Sequence, residues 1–129
     1  HEKNATAIVE LLSKHPKIDK IYYPGLTSHP SHTIAKKQQS GFGGMLSFEI
    51  LGGLAEVKSF IKGIKILPLA ASLGGFESLV SHPYTMTHGN LTPNQKKEVG
   101  ISEGLIRISA GLENTKDLLE AVNLGLEKI

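Results

Sequence analysis

The chain has 129 residues, 40% of them apolar and 20% charged, with a formal net charge of +2, a composition suited to one domain with a real core rather than to disorder. Scattered lysines, four Phe, three Tyr and no Trp offer neither the basic stripe nor the stacking surface that nucleic acid or an anionic membrane requires. The absence of cysteine excludes disulfides, thiolate catalysis and thiolate metal sites, and fits a reducing cytoplasm.

The chain opens HEKNATAIVELL, already in helical periodicity and without a start Met, which reads as a piece of something longer. No signal peptide opens it, and no apolar run approaches the roughly 20 residues that span a bilayer. Residues 2–14 form an amphipathic helix with Ala5, Ile8, Val9 and Leu12 on one face, stopped by His15-Pro16. Residues 18–23 are β-branched and aromatic and read as a strand closed by Pro24-Gly25. After the polar loop TSHPSH, Ser31 caps a short helix reaching Gln39. Glycines 41, 43 and 44 punctuate. The clearest alternation follows in residues 45–51, where Leu46, Phe48 and Ile50 share one face.

Residues 54–62 are a helix with Leu54, Val57, Phe60 and Ile61 inward, and residues 64–69 a strand ended or bulged at Pro68. A short strand is expected at 77–80. A small helix follows through Val99, with Thr92 as its N-cap and Pro93 at its first position. Residues 105–110 form the last strand, and Asn114 opens a final helix burying Leu118, Leu119, Val122, Leu126 and Ile129. The whole is an α/β domain of the α+β sandwich kind: four or five short strands with helices mostly on one face.

The stretch PLAASLGGFESLVSHPYTMTH, residues 68–88, breaks these patterns. Small residues, the pair Gly74-Gly75 and clustered hydroxyls and imidazoles between apolar runs suit a site better than a core. Ser72 and the glycine pair can bind an anion through hydroxyl and backbone N–H groups, or can simply make a tight turn.

Arg107 is the only arginine among fourteen Lys and Arg residues, and it lies in the apolar strand LIRIS beside Ile106 and Ile108. Its planar fork holds a carboxylate or phosphate through two parallel hydrogen bonds, which lysine cannot imitate. The alternative is an arginine on the solvated face of an edge strand. Six histidines invite a metal reading at His29/His32 or His82/His88, but three or four convergent ligands are needed, and His29 and His82 are expected to bond loop backbone instead. No nucleophile elbow, P-loop or dinucleotide fingerprint is present.

Three segments carry a resemblance: YPGLTSHPSHTIAKKQQSGFGGMLSFEI (23–50), ASLGGFESLVSHPYTMTH (71–88) and GISEGLIRISAGLEN (100–114). Together they resemble the C-terminal domain of the Cys/Met-metabolism pyridoxal-phosphate (PLP) enzymes, among them cystathionine γ-synthase, cystathionine γ-lyase and methionine γ-lyase. The resemblance covers essentially the whole chain and implies, for residues 1–129, the small domain of the aspartate-aminotransferase fold, with a mostly antiparallel central sheet. It implies that PLP is bound through a preceding large domain, absent from this chain, which carries the cofactor lysine.

By the same resemblance Arg107 corresponds to the clamp on the substrate's α-carboxylate. Ser72, with Leu73 beside it in SLGG, lines that pocket, and Thr87 of the MTH motif stands near the substrate. The implied partners are a small amino-acid substrate and copies of the chain in a homotetramer of the full-length cytoplasmic protein, the fragment alone being inactive. Position 71 departs from the pattern. Cystathionine-handling members often carry an acidic residue there, facing the distal amino group of cystathionine, where this chain has Ala71. A cystathionine γ-synthase or γ-lyase, a methionine γ-lyase, a homoserine sulfhydrylase-like enzyme and a non-catalytic ligand-binding domain therefore stay open.

Overall fold

The computed structural model describes residues 1–129. Four strands, β1 (Ile18–Tyr22), β2 (Met45–Ile50), β3 (Leu79–Ser81) and β4 (Leu105–Ser109), form one sheet in the order β1-β2-β4-β3. All three pairings are antiparallel. Five helices accompany them: α1 (Glu2–Leu12), α2 (His32–Gln38), α3 (Leu54–Gly63), α4 (Pro93–Glu98) and α5 (Thr115–Leu126).

Alternation decides how the sheet is covered. Leu46, Phe48, Ile106, Ile108 and Val80 are buried on one face, against Ala5, Ile8, Val9 and Leu12 of α1, Val57 and Phe60 of α3, and Leu118, Val122 and Leu126 of α5. Helix α1 packs on α5 and α5 on α3, so the three long helices make a single layer. Phe48 and Phe60 meet edge to face at 5.5 Å, a geometry worth about 0.5–1.5 kcal/mol beyond burial. The expected helices-on-one-face architecture is what the chain adopts, and no helix is long and apolar enough to cross a membrane.

Several local expectations need correction. Residues 64–69 are not a strand: only Leu69 bridges Val80, in parallel, through Val80 N–H to Pro68 O at 3.0 Å and Ala70 N–H to Val80 O at 2.9 Å. Proline 68 lacks the donor that would extend the ladder. Residues 77–80 shift to Leu79–Ser81, because the Ser78 amide is taken by the Glu113 carboxylate. Ser31 stands at the N-cap of α2 without a side-chain cap bond; its own N–H donates to His29 Nδ1 at 3.1 Å. The cap of α4 forms as expected, Thr92 and Gln95 satisfying one another's amides.

Candidate functional site

Strand β4 is internal, paired with β2 on one side and β3 on the other, so the edge-strand explanation of Arg107 fails. Residues 106 and 108 point into the core. Residue 107 therefore points to the opposite face, directly in register with Ser47 of β2 and Ser81 of β3, while Tyr22 of β1 stands opposite Ser47. A row of polar side chains thus crosses all four strands on the face away from the long helices.

Arg107 is partly exposed, and its Nη2 donates to the carbonyls of Ala71 at 2.9 Å and Ser72 at 3.2 Å. None of its hydrogen bonds goes to a carboxylate of the chain, and Nε and Nη1 have no partner within it. The fork is therefore held at one corner while its other N–H groups remain available to a planar anion.

The loop that holds it is exposed from Ala71 through Glu77. Gly74 sits at φ +76°, a conformation that favours glycine, and its N–H donates to Ser109 Oγ at 2.8 Å. That bond spends one of the amides an anion nest would need. A small cavity of about 260 Å³ opens beside it, bounded by His1, Gly44, Met45, Gly74, Ser109 and Ala110. A larger cavity, about 580 Å³, lies along edge strand β1 and the end of α1. It is two strands away from Arg107, and its position follows from β1 having no outer neighbour.

Of the sequence-predicted site residues, Ala71 and Ser72 meet Arg107 through their carbonyls, not their side chains. Leu73 is next to them and 53% exposed. Thr87 is exposed in the turn after β3 and pairs with His88 Nδ1 at 2.8 Å; no hydrogen bond joins it to Arg107 or to the 71–75 loop.

The histidines do as expected in loops. His29 Nδ1 takes the Ser31 amide, and buried His82 reaches Glu103 O through Nε2 at 2.9 Å and Thr85 Oγ1 through Nδ1 at 2.8 Å. No group of three or more His, Cys, Asp or Glu side chains converges in the chain.

Two networks escaped sequence reasoning. On the Arg107 face, the Tyr22 hydroxyl donates to Glu49 Oε1 at 2.5 Å and Ser102 Oγ to Glu49 Oε2 at 3.0 Å. Burial first, then the hydrogen bond and charge of Glu49, push the Tyr22 hydroxyl up to about 12, so it remains a donor. At the far end of the loop, Glu113 accepts from Ser78 N–H at 2.6 Å and Ser78 Oγ at 2.7 Å. Burial pushes the Glu113 carboxyl up, but the two Ser78 bonds outweigh it and hold it below the ordinary value. The only sequence signal for either network was alternation, which put Glu49 on the polar face; partners 27 and 35 residues apart are invisible to local patterns.

The description "Cys/Met metabolism PLP-dependent enzyme" belongs to a family model that matches residues 1–127. The L-methionine gamma-lyase of Fusobacterium nucleatum subsp. polymorphum is 50% identical over 129 residues, all of this chain and 33% of that protein. The cystathionine gamma-lyase of Dictyostelium discoideum is 46% identical over 99% of the chain and 33% of its own length. Among solved structures, cystathionine gamma synthase from Xanthomonas oryzae pv. oryzae, in complex with cystathionine, superposes with a TM-score of 0.94 at 48% identity, covering 99% of this chain and 33% of that one. The chain spans about a third of the length of the curated relatives it matches.

Proposed function

The chain belongs to the Cys/Met metabolism PLP-dependent enzyme family, and on that premise we propose that it supplies the substrate-carboxylate wall of such an enzyme. The full-length protein acts at the γ or β carbon of a sulfur amino acid or an activated homoserine, in the manner of cystathionine γ-synthase or γ-lyase. The observation that carries this reading is the Arg107 fork, anchored by two loop carbonyls with Nε and Nη1 left open.

The residues fit the amino-acid end of a PLP site. A guanidinium on an internal strand matches a carboxylate, whereas the loop amide at Gly74 is already spent on Ser109 and does not cradle a phosphate. When bound, PLP supplies the electron sink, and the resemblance assigns its attachment to a large domain outside this chain. Arg107 grips the α-carboxylate and so fixes which bond at the α-carbon faces the cofactor. Orientation of this kind accounts for a share of the roughly 7–11 kcal/mol available from well-placed reactants. Ser72, Leu73 and Thr87 complete the proposed wall. The full-length protein would work as a cytoplasmic homotetramer, and residues 1–129 alone would not turn over substrate.

Replacing Arg107 by Lys in the full-length protein should raise KM for the amino-acid substrate about 10- to 100-fold, as loss of a charge-assisted bond costs about 1.5–3 kcal/mol. Thermal stability should change little. Steady-state kinetics with cystathionine, methionine and acylated homoserines, alongside melting curves, make the measurement, and unchanged kinetics would sink the assignment. Ala71 favours a second reading. Where an acidic residue would meet a distal amino group, this chain presents a methyl, which suits methionine and a methionine γ-lyase activity.

A further inference from the structure

The 71–77 loop is exposed at every residue, including Leu73 and Phe76, the latter 76% exposed. It has almost no apolar packing to hold it, yet its carbonyls at 71 and 72 decide where the Arg107 fork points. Its restraint is polar: Gly74 N–H is bonded to Ser109 Oγ in the middle, Ala70 N–H to Val80 O just before it, and the remaining bonds lie at its C-terminal end. Phe76 O accepts from Leu112 N–H at 2.7 Å, and Ser78, fully buried, meets Glu113.

Glu113 takes both donors of one residue, the amide of Ser78 on Oε1 and its hydroxyl on Oε2. The Ser78 oxygen in turn accepts the Gly111 amide at 2.7 Å, so its single proton is committed to Glu113 and its orientation has no freedom. Gly111 is needed for this approach: a Cβ there would stand 2.4 Å from Phe76 O and 2.5 Å from Ser78 N. The turn is itself held by Asn4 of α1, whose amide donates to Gly111 O at 3.0 Å and Glu113 O at 2.9 Å, while Thr115 Oγ1 donates to Asn4 Oδ1 at 2.6 Å. A continuous polar path runs from α1 through the 111–115 turn to Ser78, and the loop joins Ser78 to the carbonyls on Arg107.

We infer that Glu113 is a positioning residue of this site: its two-point grip on Ser78 secures the C-terminal end of the 71–77 loop and thereby helps set the direction of the Arg107 fork. The inference rests on the reading of Arg107 as a carboxylate clamp. Glutamine at 113 keeps the shape but can accept on one atom only, leaving one Ser78 donor facing an N–H₂. The grip is lost while the core is untouched.

The test uses the full-length, PLP-loaded protein carrying Glu113→Gln, Arg107→Lys or both. Hydrogen exchange across residues 72–78 of Glu113→Gln should quicken about tenfold or more, with β2 and β4 unchanged, because loops open locally without global unfolding. KM should rise about tenfold or more, since a misaimed fork forfeits much of a charge-assisted bond to the carboxylate worth about 10- to 100-fold in affinity. In the double variant the Glu113→Gln increment in KM should vanish, the fork it aims being gone. Unchanged exchange in 72–78, or exchange rising equally throughout the domain, would overturn the inference. So would a KM that responds to Arg107→Lys and ignores Glu113→Gln. A KM indifferent to Arg107→Lys would fell the clamp reading first, and this inference with it.

Discussion

At the scale of single residues the site is defined by what each side chain leaves unused. Arg107 commits one nitrogen to Ala71 O and Ser72 O and offers the rest of its fork to the open face of the sheet. Ala71 lies against that fork through its carbonyl, and its own side chain is exposed. A glutamate introduced there meets no packed neighbour, so Ala71→Glu should leave stability within about 0.5 kcal/mol. In the full-length protein it should shift preference toward cystathionine over methionine, by presenting a carboxylate to a distal ammonium. Competition assays measure the ratio of kcat/KM for the two substrates, and an unaltered ratio would remove position 71 from the specificity argument. Arg107 itself was legible in the sequence, as a lone arginine in an apolar strand. Glu113 was not, because its meaning lies in Ser78, 35 residues away.

At the scale of elements, close approach between backbones sets the fold's precision. Helices α3 and α5 cross at Gly63 and Gly125: a Cβ on Gly63 would lie 2.7 Å from Gly125 Cα and 2.8 Å from Leu124 O. Those atoms are backbone and cannot step aside by changing rotamer. Gly63→Ala should therefore destabilise by about 1–3 kcal/mol through overpacking, although alanine is favoured over glycine in a helix by about 1 kcal/mol. Urea unfolding monitored by circular dichroism reads the difference; a gain in stability would show that the helices slide apart at no cost. The sequence foretold both helices from their apolar spacing. It foretold a strand at 64–69 as well, and there the tertiary context prevailed: Ile64 and Leu67 are buried under the helical layer, and the segment shares only a single bridge with β3.

At the scale of the whole molecule, a few polar bolts tie the exposed loop to the helix layer, and their ionisation gives the domain an acid limb. Glu113 is held below its ordinary pKa, so its contribution is complete above the unfolded value near 4.5 and is lost as pH falls through the lower folded value. The gap in melting temperature between the natural chain and Glu113→Gln should thus be constant from neutral pH down to about 5.5 and close at more acid pH. A gap that persists unchanged at pH 3, or widens there, would contradict the assignment.

The sequence by itself determined the five helices, the strands other than the false one at 64–69, the buried faces of β2, β4 and the long helices, the lone arginine of the candidate site and the family resemblance, because periodicity, capping and motif residues act over a few neighbours. Tertiary structure alone decided that β4 is internal, that Ala71 and Ser72 meet Arg107 by their carbonyls, and that Glu113 accepts both donors of Ser78. Those facts depend on strand order and on hydrogen bonds between residues some 35 positions apart, which no local pattern encodes.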